Sequence, residues 1–215
     1  DWFRVNNFMF DFDGTLADSG AVVTVATQKA FIKNNLPAPT KQQVLDYMGL
    51  PIETFFPMLA PLAPQKVLNQ LYDDFRTFCA QNEDAGTKFF DGVIPTLKQL
   101  HDSGKDLFIL SSNSSATIYH HLKRFKIDQL FTEVVGSDMV KNFKPNPESV
   151  NRVVHDFNLN RQQSVMIGDA RYDLQMGKNA AVKTCGATWG AFNVDSLKQE
   201  QPTYLIHQPQ QLLKL

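Results

Sequence analysis

Phe8-Met9-Phe10-Asp11-Phe12-Asp13-Gly14-Thr15-Leu16 is the stretch that decides how the rest of the chain is read. Three apolar residues run directly into two carboxylates spaced two apart, then into a Gly. A short apolar run cut off by a turn residue reads as a buried strand. In an open parallel sheet, ligands and chemistry gather beyond the carboxyl ends of the strands, which is where Asp11 and Asp13 stand. One carboxylate of such a pair can attack phosphorus while the other handles the proton of the leaving oxygen. Two simpler readings compete. Asp-Gly is a common turn dipeptide, so the stretch could be a hairpin turn. It also begins like a calcium loop, but that loop requires Gly sixth and Glu twelfth. Leu16 and Val22 occupy those places, and the calcium reading fails.

Outward from this stretch, short apolar runs alternate with amphipathic ones, the pattern of a parallel sheet flanked by helices. Further strands are expected at Leu107–Leu110, Val134–Val135, Val165–Ile167, Val182–Cys185 and Tyr204–Ile206. Val93, Leu97 and Leu100 mark a helix closed by Gly104, and Val150, Val153, Val154 and Phe157 form another helical face. From about Gly20 to Thr87 the alternation stops and only helices are expected. Thr40 with Gln43 makes a capping box before Val44 and Leu45. Pro57, Pro61 and Pro64 punctuate a loop, and Pro64 opens a helix buried through Val67, Leu68, Leu71, Tyr72, Phe75 and Phe78. The expected fold is therefore α/β: a Rossmann-like parallel-sheet core (1–17 and 88–215) with an inserted small all-helical cap (18–87). Polar or small-residue linkers at Ala17–Gly20 and Glu83–Lys88 would join the two.

Three more stretches place polar groups at strand ends. Leu107-Phe108-Ile109-Leu110 delivers Ser111, Ser112 and Asn113, whose hydroxyls and backbone N–H groups suit phosphate oxygens. Taken alone they are also ordinary helix caps. Lys144-Pro145-Asn146-Pro147 is a rigid turn whose Lys144 could neutralise charge building up on phosphate and nucleophile. Val165-Met166-Ile167-Gly168 delivers Asp169, with Asp173 one helical turn on. Asp169 could join Asp11 in binding a hard cation. Asp173 could orient a bound water or Lys144 from behind, although an acid at a helix start needs no such role. Any one of these arises easily by chance, but all four together on one sheet edge do not.

Bulk properties narrow the partners. The 215 residues carry 21 Lys plus Arg against 22 Asp plus Glu, a net charge of -1. That balance gives no reason to expect nucleic acid or an anionic membrane as a partner. No apolar run approaches the roughly 20 residues that span a bilayer. The start, Asp1-Trp2-Phe3-Arg4, lacks the layout of a secretory signal, and its first residue is not Met. Cys79 and Cys185 have no disulfide or zinc spacing and suit a reducing cytoplasm. His120 and His121 point different ways on a helix and read as surface or core filler. Lys123, Arg124 and Lys126 read as a solvated helix end. Nothing in the pattern separates a subunit interface from core.

With these motifs in this order, the sequence resembles the haloacid dehalogenase superfamily of phosphohydrolases over nearly its whole length. The resemblance implies Mg²⁺ as cofactor and a small phosphorylated metabolite as substrate. It implies Asp11 as nucleophile and Asp13 as general acid and base, the latter also a metal ligand through its carbonyl. It further implies Ser112 as the phosphate-binding hydroxyl beside Asn113, with Ser111 the alternative if the register slips by one. Lys144 matches the family's motif-three lysine, Asp11, Asp13 and Asp169 the metal set, and Asp173 its supporting acid. Asp13 argues against the namesake dehalogenases, which lack a carboxylate there and expel a halide that needs no proton. Asp11–Ser19 and Gly49-Leu50-Pro51 are most similar to phosphoglycolate phosphatases and sugar phosphatases, with Tyr47–Phe56 expected to contact substrate. Ala170 and Ala181 depart from the residues usual in relatives, which bears on substrate preference. A phosphosugar mutase and a catalytically silent binding module are the rival readings. The cap's Lys29, Lys33, Lys41, Lys66 and Arg76 form no motif for gripping a second phosphate.

Overall fold

The computed structural model describes residues 4–215, apart from the side chain at 83. The Asp1-Trp2-Phe3 start that was read for a signal lies outside the described residues. Six strands build one sheet: β1 (Asn7–Phe10), β4 (Asp106–Leu110), β5 (Glu133–Val135), β6 (Ser164–Gly168), β7 (Lys183–Ala187) and β8 (Tyr204–Ile206). Their order is β5-β4-β1-β6-β7-β8, and every pairing is parallel. The chain fills the sheet outward from β1 in one direction and then in the other. The carboxyl end of β1 is thus the point where strand order reverses, the crevice in which open sheets bind ligands.

Why β1 carries no polar residue between Phe8 and Phe10 follows from the two layers around it. Phe8 and Phe10 pack into one apolar cluster with Leu97, Leu107 and Ile118, while Met9 packs into a second with Phe108, Val150 and Met176. Successive strand side chains face opposite ways, so a strand covered on both sides must be apolar throughout. Helices α5 (Val93–Asp102) and α6 (Ser115–Arg124) pack into the first cluster, and α7 (Glu148–Asp156) and α8 (Arg171–Asn179) into the second. Helix α9 (Val194–Gln199) follows β7. Gly104 ends α5 as expected. At φ 80° it donates to His101 O, while Lys105 N reaches back to Leu100 O, a Schellman stop. Strand β7 runs to Ala187, past the expected Cys185, because Gly186 and Ala187 continue the ladder onto β8. Phe157 falls just past α7, its ring against Phe108 at 5.3 Å.

The insertion contains α1 (Gly20–Lys33), α2 (Lys41–Tyr47), α3 (Ile52–Leu59) and α4 (Gln65–Gly86), packed around their own apolar cluster of Phe31, Phe55, Phe56 and Leu71. The Thr40–Gln43 capping box forms in both directions. Two expectations need correction. Pro57 lies inside α3, not in a loop. The helix keeps its fixed φ, and burial of Phe55 and Phe56 directly before Pro57 outweighs one lost backbone bond. The linkers are also not plain loops. β2 (Ala17–Asp18) and β3 (Lys88–Phe89) pair antiparallel, and α4 continues to Gly86. A β-ribbon therefore closes the base of the helical block. No helix of the described residues is long and apolar enough to cross a membrane.

Candidate active site

Asp11 follows β1 with its backbone still tied to the sheet through Ile167 O, so its carboxylate is aimed by the strand. Only 2% of Asp11 is exposed. Its Oδ1 accepts from Lys144 Nζ at 2.8 Å and from Phe12 N at 2.8 Å. Its Oδ2 is buried and accepts no hydrogen bond from any described residue. One oxygen is fixed and the other is left for a newcomer.

Asp13 sits beside it. Ser19 Oγ donates to Asp13 Oδ1 at 2.6 Å, and Asn113 Nδ2 approaches Oδ2 at 3.5 Å. Burial pushes the Asp13 carboxyl up to about 6, against the pull of the Ser19 hydrogen bond, with the charge of Asp11 adding to the rise. Lys144, on the loop before α7, bridges Asp11 and Asp173 at 2.8 and 2.7 Å. Burial alone would lower the Lys144 ammonium, but the two carboxylates outweigh it and hold it above its ordinary value. Asp173 Oδ2 accepts from Ala170 N at 3.2 Å, which seats it in the first turn of α8. Asp169 accepts from Thr15 Oγ1 at 2.8 Å.

Asp11, Asp169 and Asp173 bring carboxylate oxygens within 4.8 Å of one another. Burial, followed by the charge of Asp11, raises both Asp169 and Asp173. Three acids crowd around one lysine, and a buried Asp11 oxygen has no partner. That charge surplus and an all-oxygen donor set fit a hard divalent cation. The side-chain cluster contains Asp173, whereas the metal set expected from sequence is Asp11, Asp169 and the Asp13 carbonyl. Asp173 spans both roles by also holding Lys144.

Several contributors were not given roles from sequence. Thr15 and Ser19 orient Asp169 and Asp13, and Trp189 Nε1 donates to Thr15 O at 2.8 Å. Gly14, at φ 86°, lets the loop run against Asp169, since a Cβ there would meet Asp169 Oδ2 at 2.3 Å. Gly14 and Thr15 lie inside the deciding motif, so proximity was a usable signal for them. Ser19 offered none. The two serines after β4 separate. Ser112 Oγ donates to Gly49 O of the helical block at 2.7 Å, whereas Ser111 is buried and its Oγ accepts from Asn113 N at 3.0 Å. His121 is core, stacked on Phe12 at 5.9 Å, with burial lowering it to about 4. Arg124 is not a solvated helix end. It donates to Asp84 Oδ1 at 2.9 Å and Thr87 O at 2.7 Å, pinning the end of α4, with His120 on the same Asp84 carboxylate at 2.7 Å.

Asp11, Asp13, Ser111, Ser112 and Asn113 open into a cavity of about 210 Å³ roofed by the helical block, including Gly49 to Glu53 and Phe55.

The family model described as haloacid dehalogenase-like hydrolase matches residues 8–187. A protein named pyrophosphatase PpaX from Listeria innocua is 27% identical over 214 residues, covering 99% of this chain and 96% of its own. Among solved structures, a Bacteroides fragilis protein assigned as a haloacid dehalogenase-like hydrolase superposes with TM-score 0.91 at 22% identity, over 97% of this chain and 100% of that one. A predicted phosphoglycolate phosphatase from Haemophilus somnus 129pt gives 0.88 at 22%, over 100% and 98%.

Proposed function

The chain belongs to the haloacid dehalogenase-like hydrolases and acts on phosphate esters, and from that premise we propose a Mg²⁺-dependent phosphomonoester hydrolase working through an aspartyl phosphate on Asp11. The observation that carries this reading is the divided environment of Asp11. Oδ1 is anchored by Lys144 and Phe12 N, while Oδ2 is buried without a partner beside a second carboxyl, Asp13.

In the proposed reaction one carboxylate oxygen of Asp11 attacks phosphorus in line while the other remains for the cation, and the ester P–O bond breaks on the opposite side. Asp13, held by Ser19, gives its proton to the departing alkoxide. It then takes a proton from the water that cleaves the aspartyl phosphate and returns Asp11. Ser111 and Asn113 are assigned to the equatorial phosphate oxygens. Ser111 is preferred to Ser112, whose hydroxyl is committed to Gly49 O. Lys144 offsets negative charge at Asp11, and Asp173 holds Lys144 in place. Mg²⁺ would be held by Asp11, Asp169 and the Asp13 carbonyl, with Asp173 behind them, and would neutralise phosphate charge during attack.

Residues 18–87 are taken as a cap over a core of 1–17 and 88–215, supported by the separate apolar cluster in the helices. Phosphoglycolate and sugar phosphates, suggested by sequence similarity, and pyrophosphate, suggested by the relatives' name, all share the same phosphate-end chemistry.

The test is phosphate release from a panel of small phosphomonoesters, with and without Mg²⁺, wild type beside Asp11→Asn. Release should require the metal and fall by on the order of 10⁴-fold in the variant. Release that survives the substitution would overturn the nucleophile assignment.

A further inference from the structure

The roof of the cavity differs from its floor. Val22, Leu50, Phe55, Phe75, Cys79 and Ala80 supply apolar walls above the carboxylates. Among the described residues, Arg76 is the one Lys or Arg side chain lining this cavity, and it is already occupied. Its guanidinium is paired with the Glu53 carboxylate at the cavity mouth, with Asp73 at 4.0 Å on the other side. Lys33 is turned away onto Asp74 at 2.8 Å, and Lys29 lies over the Phe78 ring. Glu53 also occupies the first turn of α3, where helix N–H groups would otherwise favour an incoming anion.

We infer that the substrate is a phosphomonoester with a small, uncharged leaving group that turns an apolar face to the helical block, not one carrying a second anionic group. This rests on the phosphohydrolase reading above. A second phosphate or a carboxylate in the roof would lose its hydration against apolar walls without gaining a counter-charge. The Glu53–Arg76 pair at the mouth offers it no net positive charge. An alkyl or similar group would instead leave water for Val22, Leu50 and Phe75. At about 210 Å³ the cavity is smaller than the ~300 Å³ lower bound for drug-sized ligands, so the leaving group is small. Hydrolysis then converts ester and water into this neutral alcohol and inorganic phosphate.

The experiment compares kcat/KM in Mg²⁺ for n-butyl phosphate, for the phosphate ester of 4-hydroxybutyrate and for pyrophosphate. The two esters have the same carbon count and closely similar leaving alkoxides, so the terminal carboxylate is the difference that matters. Wild type should favour butyl phosphate at least tenfold over each anionic compound. Glu53→Gln, which releases Arg76, should narrow both ratios several-fold. A wild-type preference for pyrophosphate or the carboxylate ester would overturn this inference and leave the phosphohydrolase intact. Ratios that do not move in Glu53→Gln would remove the Glu53–Arg76 pair from the argument and overturn it as an account of specificity. No turnover of any of the three, nor of the wider ester panel, would bring down the phosphohydrolase reading and this inference with it.

Discussion

The carboxyl edge of the sheet and the interior of the helical block are built from opposite materials. At the edge, Asp11, Asp13, Asp169, Asp173 and Lys144 crowd charge into a small volume, four of them delivered by a strand end or the loop beyond it and Asp173 by the first turn of α8. In the block, Phe31, Phe55, Phe56, Tyr72 and Phe75 form a chain of aromatic contacts with centroids 4.9 to 6.0 Å apart. The edge trades stability for reactivity, because like charges are held together. The block does the reverse and offers the cavity shape and apolar surface. Removing a charge from the first and a ring from the second should therefore damage the protein in different currencies.

The largest effect is expected from Lys144→Met. It leaves the buried Asp11 and Asp173 carboxylates without the ammonium that bridges them, with Asp169 close by. Losing one partner of a buried ion pair costs about 3–5 kcal/mol, which for a chain of this size lowers Tm by roughly 10 °C. Phosphate release should collapse at the same time. Thermal unfolding and turnover, measured side by side without added metal, check both. An unchanged Tm would mean that the edge is not charge-strained as described.

Phe56→Ala probes the other region. Phe56 is fully buried and touches four rings. Its loss should cost about 3 kcal/mol. The phosphate-end residues stay in place, so kcat for a small ester should fall far less than in Asp11→Asn, while the ranking of leaving groups flattens. Denaturant titration and the ester panel separate the two. A loss of kcat comparable to that of Asp11→Asn would erase the distinction between the regions.

The same contrast explains what could be read from sequence. Asp11, Asp13, Lys144, Asp169 and Asp173 converge in the structure because a parallel sheet places every strand's carboxyl end on one edge. A strand followed by an acid is then enough to locate the acid. The roof has no such rule. Val22 of α1, Phe55 of α3 and Phe75 of α4 meet only through helix packing, and helical spacing marks them as buried without saying against what. Ser19 reaches Asp13 across a turn of the β2–α1 junction, a contact no periodicity encodes. Arg124 looks solvated because its partners, Asp84 and Thr87, lie about forty residues away in sequence. Pro57 misled as a breaker because packing by its neighbours decided the helix.

Ser111 and Ser112 lie on the line between the two regions, and the smallest expected effect distinguishes them. A one-residue shift at a strand end turns a side chain to the opposite side, so the sequence left either serine available. In the structure Ser112 spends its hydroxyl on Gly49 O, joining sheet edge to roof, and Ser111 lines the same cavity as Asp11 with its Oγ accepting from Asn113 N. Ser112→Ala should then cost about 1 kcal/mol of stability and raise KM a few-fold, with kcat nearly unchanged. Ser111→Ala should lower kcat/KM on the order of 10²-fold, as expected for one preorganised donor to a phosphate oxygen. If the two variants exchange these behaviours, Ser112 is the phosphate hydroxyl, and the bond to Gly49 breaks when substrate arrives. The Gly49 segment would then have to move for catalysis, and the roof would belong to the chemistry as well as to the choice of leaving group.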